Sequence, residues 1–263
     1  MNPVVVRIII SFFVAGAWIA GTTLIGERLG ARKAGLISNL PSNILISLLF
    51  VALTKGPEYA SDATAGVPTG MLIDTIFLVV FIFVLKFGVV QALVASLATW
   101  AVSAAVVLKL LPPMDFLGSI IAYVAVAIAL FILVRAALPR AAPEKKPTTF
   151  SWKIVGIRAF FAGTVVAGAV TIAQFAPPYM TGIFATFPAA LTSSLVILAL
   201  SQGVAFTQAT GKILILSSTN LVVYVVFAGI LFPLVGPWLG TLVSFAAAFG
   251  YIIAMGKVLA KVI

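Results

Sequence analysis

Acidic side chains limit the chemistry that this sequence can perform. The chain of 263 residues contains six acidic residues, no histidine and no cysteine. Metal sites and general acid–base catalysis draw mainly on these residue types, and only Asp74 lies well inside an apolar segment. Paired acids, a metal cluster and a nucleophile triad are therefore missing from the sequence. We expect neither an enzyme nor a bound cofactor or metal.

Asp74 is the candidate ion-coupling residue. It follows Val67, the first residue of its apolar segment, by seven residues, which is about 10 Å at the rise per residue of a helix. A carboxylate at that depth is costly unless it is paired, protonated or hydrated. We therefore predict that Asp74 binds a coupling proton or cation. The alternative is a structural hydrogen bond to a neighbouring helix, or a side chain that reaches the outer surface.

A second group of polar residues lies beside prolines. Asn39, Asn43 and Ser47 are spaced by four and so share one helix face. Proline removes a helical hydrogen bond, and proline-interrupted spans at matching positions indicate a transporter binding site. The predicted substrate site comprises Asn39, Pro41, Asn43, Ser47, Thr186, Pro188, Ser194 and Asn220. The alternative is a kinked helix whose polar side chains make only structural hydrogen bonds.

These residues must be positioned by membrane helices. Apolar residues make up 63% of the chain and charged residues 8%, against about 45–50% and about 25% in soluble domains. The sequence therefore predicts an all-α polytopic membrane protein with about nine transmembrane helices. The expected spans are Val4–Ile25, Ala34–Leu53, Val67 to a turn at Lys86–Gly88, that turn to Leu111, Phe116–Val134, Ile154–Phe175, Met180–Leu200, Ile213–Phe232 and Trp238–Met255. We expect a polar loop over Thr54–Ala65 and turns at Pro177-Pro178 and Pro233–Pro237.

Basic residues indicate the orientation of the chain. With the N-terminus outside, only Arg7, Lys55 and Lys109 of the sixteen Lys and Arg residues face outward, as the positive-inside rule favours. The sequence thus predicts a multi-pass cell-membrane protein with its N-terminus outside and its C-terminus cytoplasmic. The net charge of +10 fits loops that touch lipid head groups. We expect the lipid bilayer and a small solute or ion as partners, and no nucleic acid. The oligomeric state stays open.

The sequence repeats itself after a shift of 147 residues. Over Phe13–Gly56 the shift gives thirteen identities in forty-four positions, and these include Gly35 with Gly182 and Pro41 with Pro188. We predict a first four-helix repeat at 1–111, a linking helix at 112–138, a cytoplasmic linker at 139–153 and a second repeat at 154–263. Five crossings separate equivalent helices, and an odd number predicts halves of opposite orientation.

The stretch Ala34–Ser42 (AGLISNLPS), followed by Lys55-Gly56, resembles the GlpM-like family of small membrane proteins. The stretch Gly182–Ala189 (GIFATFPA) resembles the same family in the second half. Members of that family are short four-span proteins, so the resemblance implies two such units joined by an extra helix. It implies no substrate and assigns no residue a role.

Inverted repeats are typical of secondary transporters, in which two halves rock about a central site. We therefore predict a secondary transporter of a small solute or ion that works by alternating access. The alternative is a non-transporting membrane scaffold or a regulatory subunit of a partner complex.

Overall fold

The computed structural model describes residues 2–28, 41–138 and 151–262, and these ranges contain helices and no strand. The prediction of an all-α fold is therefore confirmed. The helices are α1 (Pro3–Arg28), α2 (Ser42–Lys55), α3 (Pro57–Ala63), α4 (Val67–Val84), α5 (Val89–Leu110), α6 (Phe116–Ala137), α7 (Trp152–Ile172), α8 (Pro178–Ala185), α9 (Ala189–Gln202), α10 (Val204–Ser217) and α11 (Asn220–Val262). Short 3-10 turns at Thr64–Gly66 and Leu85–Phe87 connect three of them.

Seven helical stretches within the described ranges are long and apolar enough to cross a membrane. This confirms the multi-pass helical character of the chain. The stretches are Pro3–Thr22, Pro57–Phe87, Val89–Leu110, Phe116–Ala137, Trp152–Ile172, Pro178–Gln202 and Val204–Met255. Ser42–Lys55 is a shorter apolar helix.

The segment that contains Asp74 begins earlier than the sequence predicts. The expected polar loop over Thr54–Ala65 is wrong, because α3 begins at Pro57 and continues through a 3-10 turn into α4. Gly56 separates α2 from α3 with φ 101°, a conformation that glycine adopts readily. Asp74 consequently lies seventeen residues after Pro57 and thirteen before Phe87. It stands near the middle of this helical stretch rather than about 10 Å from its outer end.

The eighth predicted span also begins earlier, because α10 starts at Val204 and not at Ile213. In place of the turn expected across Pro233–Pro237, the non-helical backbone is confined to one residue. Gly236 has φ 78° and ψ 166°, whereas Pro233 lies within helical backbone. Proline is tolerated there because the Gly229 carbonyl, which loses its helical partner at Pro233, accepts a hydrogen bond from the Ser61 hydroxyl.

Helices α1 and α7 pack closely and run antiparallel. A methyl group at Gly16 would lie 3.2 Å from the carbonyl oxygen of Ala159, and one at Gly163 would lie 2.6 Å from that of Phe12. Residue numbers therefore rise along α1 as they fall along α7. Glycine permits this approach because small residues let membrane helices bring their backbones together.

The buried core is centred on α4. Its side chains Ile73, Phe77, Phe81 and Ile82 are fully buried, and α4 packs on α5, α6, α8 and α10. Helix α4 is thus enclosed by helices from both predicted repeats. Most side chains of α4 are therefore buried within the protein.

Candidate functional site

Asp74 on α4 is bound by Trp100 on α5. The indole Nε1–H of Trp100 donates a hydrogen bond of 2.8 Å to the Asp74 carboxyl oxygen. The two helices are neighbours because Gly88, with φ 129°, makes a tight turn between them. Trp100 is buried, whereas Asp74 is only half-buried although its neighbours Ile73 and Thr75 are buried. The Asp74 residue is therefore less enclosed than its two chain neighbours.

Thr186 brings the second half of the chain to the same carboxyl group. Its hydroxyl lies within hydrogen-bonding reach of Asp74 and donates a bond of 2.8 Å to the carbonyl oxygen of Ile183. A hydroxyl has one proton to donate. Thr186 can therefore donate either to the Ile183 carbonyl or to the charged Asp74 carboxylate. When Asp74 is protonated, its own O–H can donate to the Thr186 oxygen and leave the bond to Ile183 in place.

Thr186 occupies this position because the helix is interrupted beside it. Helix α8 ends at Ala185 and α9 begins at Ala189, since Pro188 has no N–H for the helical ladder. The Phe184 carbonyl, which the sequence predicts to be freed by the proline, accepts a bond of 3.1 Å from the Phe187 N–H. The Phe184 carbonyl is therefore satisfied within the turn, and the Thr186 side chain lies within reach of Asp74.

Two phenylalanine rings pack against Trp100, the partner of Asp74. The Trp100 ring meets Phe187 at a centroid distance of 4.8 Å and Phe184 at 5.8 Å, both edge to face. Phe184 and Phe187 are half-buried. The carboxyl group thus lies at one end of an aromatic wall supplied by α5 and by the turn between α8 and α9.

Glycines allow α8 to approach α3 and α4 at backbone contact. A methyl group at Gly182 would lie 2.0 Å from the carbonyl oxygen of Ala63, and one at Gly70 would lie 2.3 Å from the Thr186 hydroxyl. Real side-chain carbons do not come so close to backbone atoms. The glycine that precedes Pro188 by six residues therefore has a packing role, which holds Thr186 against α4.

Hydroxyl groups fix the beginning of α8 to α3 and α4. The Tyr59 hydroxyl donates a bond of 2.7 Å to the Ala176 carbonyl and lies 2.8 Å from the Thr181 hydroxyl. The hydroxyls of Thr69 and Tyr179 are also 2.8 Å apart. On the predicted outer side of Asp74, these bonds close the contact between the two halves.

The polar stripe predicted in the first half is placed only in part. Asn39 lies outside the described residues, as do residues 139–150 of the predicted linker. Pro41 directly precedes α2 and is buried. The Asn43 Oδ1 and Ser47 Oγ atoms are buried without a hydrogen-bond partner. This face of α2 therefore has two polar atoms that could still accept hydrogen bonds.

The structure brings Asp74 and Thr186 together, with Pro188 beside them. Ser194 is half-buried on α9, and Asn220 is buried where α11 begins. No hydrogen bond within the described ranges joins Asn43, Ser47 or Ser194 to Asp74.

Sequence reasoning missed Trp100 and the two phenylalanines. A signal for Trp100 was present, because a buried indole N–H usually finds an acceptor. Asp74 is the one carboxylate within the adjoining spans. The phenylalanines gave no comparable signal, since apolar aromatic residues are frequent throughout this chain.

Comparison with known proteins gives one family match. A family model described as "Protein of unknown function (DUF3147)" matches residues 8–112. The chain is similar to that family over a stretch that closely coincides with the predicted first repeat. No curated protein and no solved structure matches the chain.

Proposed function

We propose that this protein is a secondary transporter of a small solute or ion that works by alternating access between two inverted repeats. The observation that carries the proposal is the approach of Thr186 to Asp74, because the Thr186 hydroxyl lies against Gly70, one helical turn before Asp74. It joins an ionisable group near the middle of one helical stretch to an interrupted helix of the other half. Transporter sites are typically built at such discontinuous helices, between repeats and near the membrane midplane.

Matching backbone angles support the duplication. Gly56 has φ 101° and ψ 157°, and Gly203, which follows it by 147 residues, has φ 90° and ψ 177°. Gly88 and Gly236, 148 residues apart, also share positive φ with extended ψ. These four glycines are the residues with positive φ among those described. Their pairing fits two copies of one helix–turn pattern.

The prolines support it further. Pro41 has φ −73° and ψ 46°, and Pro188 has φ −80° and ψ 41°. This is an unusual proline ψ, between the helical and extended regions. Its recurrence at the same position in both halves is expected if each half contains the same interrupted helix.

The contact between α1 and α7 supports the inversion. A shift of 147 residues converts Gly16 into Gly163 and Phe12 into Ala159. The contact of Gly16 with Ala159 and that of Gly163 with Phe12 are therefore exchanged by the repeat relation. Reciprocal contacts of this kind are the mark of a two-fold relation. Because the helices are antiparallel, the axis fits one that lies in the membrane plane.

The same scheme accommodates nine crossings. The stretch Val204–Met255 bends at Gly236, which gives two crossings, and the short α2 gives another. The N-terminus is then outside and the C-terminus cytoplasmic in the cell membrane. We also keep as a proposal the resemblance of each half to the GlpM-like proteins, since it implies four-span units.

Transport by reconstituted protein tests the proposal. Purified protein is placed in liposomes that contain a pH-sensitive dye, and gradients of amines, amino acids, organic acids and monovalent ions are imposed in turn. We expect at least one solute to cross, with a proton-coupled component that Asp74→Asn removes. Glu58→Gln, which changes an exposed acid on α3, should transport like the wild type. If no solute crosses, the chain is a non-transporting scaffold or a regulatory subunit.

A further inference from the structure

We infer that the solute of this site is a small organic cation, which occupies the Asp74 carboxylate in exchange for its proton. The inference rests on the proposed function and adds the substrate class. Three observations carry it: a carboxylate without a counterion among the described residues, an aromatic wall that begins at its partner Trp100, and a donor set that does not suit divalent metal ions.

The charge of Asp74 has no permanent counterion among the described residues. The groups bound to its carboxyl are the Trp100 indole and the Thr186 hydroxyl, and both are neutral. An ionised carboxylate within a membrane protein needs a positive partner or abundant water. A proton or a mobile cation therefore has to neutralise it.

Other ionisable groups near α4 do not supply that charge. The elements packed on α4 are α5, α6, α8, α10 and the turns at its two ends. Their ionisable side chains are Lys86, Lys109, Tyr123, Arg135, Tyr179 and Lys212. Among these, Tyr123 interacts electrostatically with Asp74, and a tyrosine is neutral near pH 7.

The aromatic wall selects among cations. Trp100 donates its N–H to the carboxyl group, and its ring packs against Phe184 and Phe187. Aromatic faces attract organic cations, and recognition of quaternary ammonium groups by aromatic side chains is the established use of this interaction. A carboxylate bound to an indole that itself packs on two phenylalanine rings therefore fits an ammonium or guanidinium group that carries apolar substituents.

The donor set is unsuited to divalent metal ions and to anions. No group of three His, Cys, Asp or Glu side chains occurs in the described residues. Calcium takes six to eight oxygen ligands and magnesium requires near-octahedral geometry. One carboxylate among aromatic rings cannot provide either arrangement, and it repels anions.

Trp100 fluorescence provides a direct binding test. The chain has four tryptophans, so a variant with Trp18, Trp152 and Trp238 changed to Phe reports Trp100 alone. Purified in detergent, this variant is titrated with choline, guanidinium and ethylammonium chloride. We expect at least one of these cations to give a saturable change in fluorescence. Sodium chloride and 3,3-dimethylbutan-1-ol, the uncharged isostere of choline, should give none.

Three substitutions locate the binding. Asp74→Asn in the same background should abolish the fluorescence response, whereas Glu58→Gln should leave it unchanged. In the otherwise wild-type chain, calorimetry should show that Trp100→Phe weakens cation binding about 5- to 30-fold, because Trp is the strongest cation–π partner. In weak buffer below neutral pH, binding should release up to about one proton per cation, as expected if cation and proton share one carboxylate.

The outcomes separate this inference from the transport proposal. If none of the three cations changes Trp100 fluorescence while pH alone does so through Asp74, the site binds protons only and the inference is overturned, but proton-coupled transport still stands. If a cation binds through Asp74 but no solute crosses the liposome membrane, the substrate role is overturned together with the transport proposal. Cation binding that Asp74→Asn leaves intact would also contradict the inference.

Discussion

At the level of single residues, the hydrogen bond between Trp100 and Asp74 satisfies a buried donor and its acceptor. The indole N–H has the carboxyl oxygen as its acceptor at 2.8 Å, and Trp100 is only 5% exposed. Leaving a buried donor or acceptor unsatisfied costs about 1–3 kcal/mol. The two side chains should therefore be coupled energetically as well as in geometry.

A double-mutant cycle measures this coupling. Trp100→Phe and Asp74→Ala should each destabilise the protein, and the double variant should be less destabilised than the sum of the two by about 1–3 kcal/mol. The measurement is thermal or denaturant unfolding in detergent. Trp18→Phe serves as the control, since Trp18 packs on Phe245 and should show no coupling to Asp74. Additive effects in the Trp100 cycle would mean that the hydrogen bond contributes nothing.

Gly182 sets the distance between α8 and α3. We expect Gly182→Ala to destabilise the protein by several kcal/mol or to prevent folding, because its methyl group would lie 2.0 Å from the Ala63 carbonyl oxygen. Gly168→Ala on α7 is the matched control, since its methyl group has no neighbour within 4 Å, and it should be neutral or slightly stabilising. Equal unfolding temperatures for the two variants would contradict the close packing described above.

At the level of elements, the interruption between α8 and α9 determines where Thr186 lies. Pro188 directly precedes α9 with a backbone that no continuous helix has, and the N–H groups of Thr186, Phe187 and Ala189 donate within the turn. An interrupted helix of this kind presents a polar side chain, and a membrane requires that the freed backbone groups find partners within the protein.

Removing the proline should make the helix more continuous. We expect Pro188→Ala, and Pro41→Ala in the first half, to give folded protein in which solute binding is lost or altered. Binding is followed by Trp100 fluorescence, and slowed amide exchange at Phe187 and Ala189 would report the restored helical bonds at the second site. If both variants bind a responsive cation like the wild type, the interruptions are only structural.

Much of the element order could be predicted, because glycine and proline mark it. The turn at Gly88 and the end of α5 before Pro112 are where the sequence predicts them. Helix α3 was missed because Glu58, Ser61 and Asp62 make it polar. Its polarity has a structural cause that the sequence does not reveal, since the Ser61 hydroxyl binds the Gly229 carbonyl at 2.5 Å.

The residues of the candidate site could be predicted in part, but their contacts could not. Asp74 and Thr186 were found through burial and proline position, but their contact depends on Gly70 and Gly182, which bring α8 against α4. Tertiary approach of this kind leaves no local pattern in a sequence. Asn43 and Ser47 follow the predicted helix face, yet no described contact links them to Asp74.

For the whole molecule, the distribution of basic residues predicts the orientation. Thirteen of the sixteen Lys and Arg residues face the cytoplasm if the N-terminus is outside, and such a bias orients membrane proteins during insertion. Labelling of single cysteines tests it without background, because the chain has none of its own.

We expect Asp62→Cys to react with an impermeant thiol reagent in intact cells and Ala137→Cys to react only after the membrane is opened. Both positions are exposed, and they lie on opposite sides in the proposed topology. Ser61 is a poorer reporter because its hydroxyl is hydrogen-bonded. The reverse pattern of labelling would invert the proposed topology.

The pairing of α1 with α7 has a consequence for the order of events during synthesis. The most extensive partner of α1 is α7, and Trp152 is made 124 residues after Arg28. At about 5–20 residues per second, α1 waits roughly 6–25 s for it. During that interval α2 is the main described partner of α1 that has already been made, and lipid must cover most of the remaining surface. Its Phe13, still 66% exposed after folding, belongs to a surface that has to be stable in lipid before the rest of the protein exists.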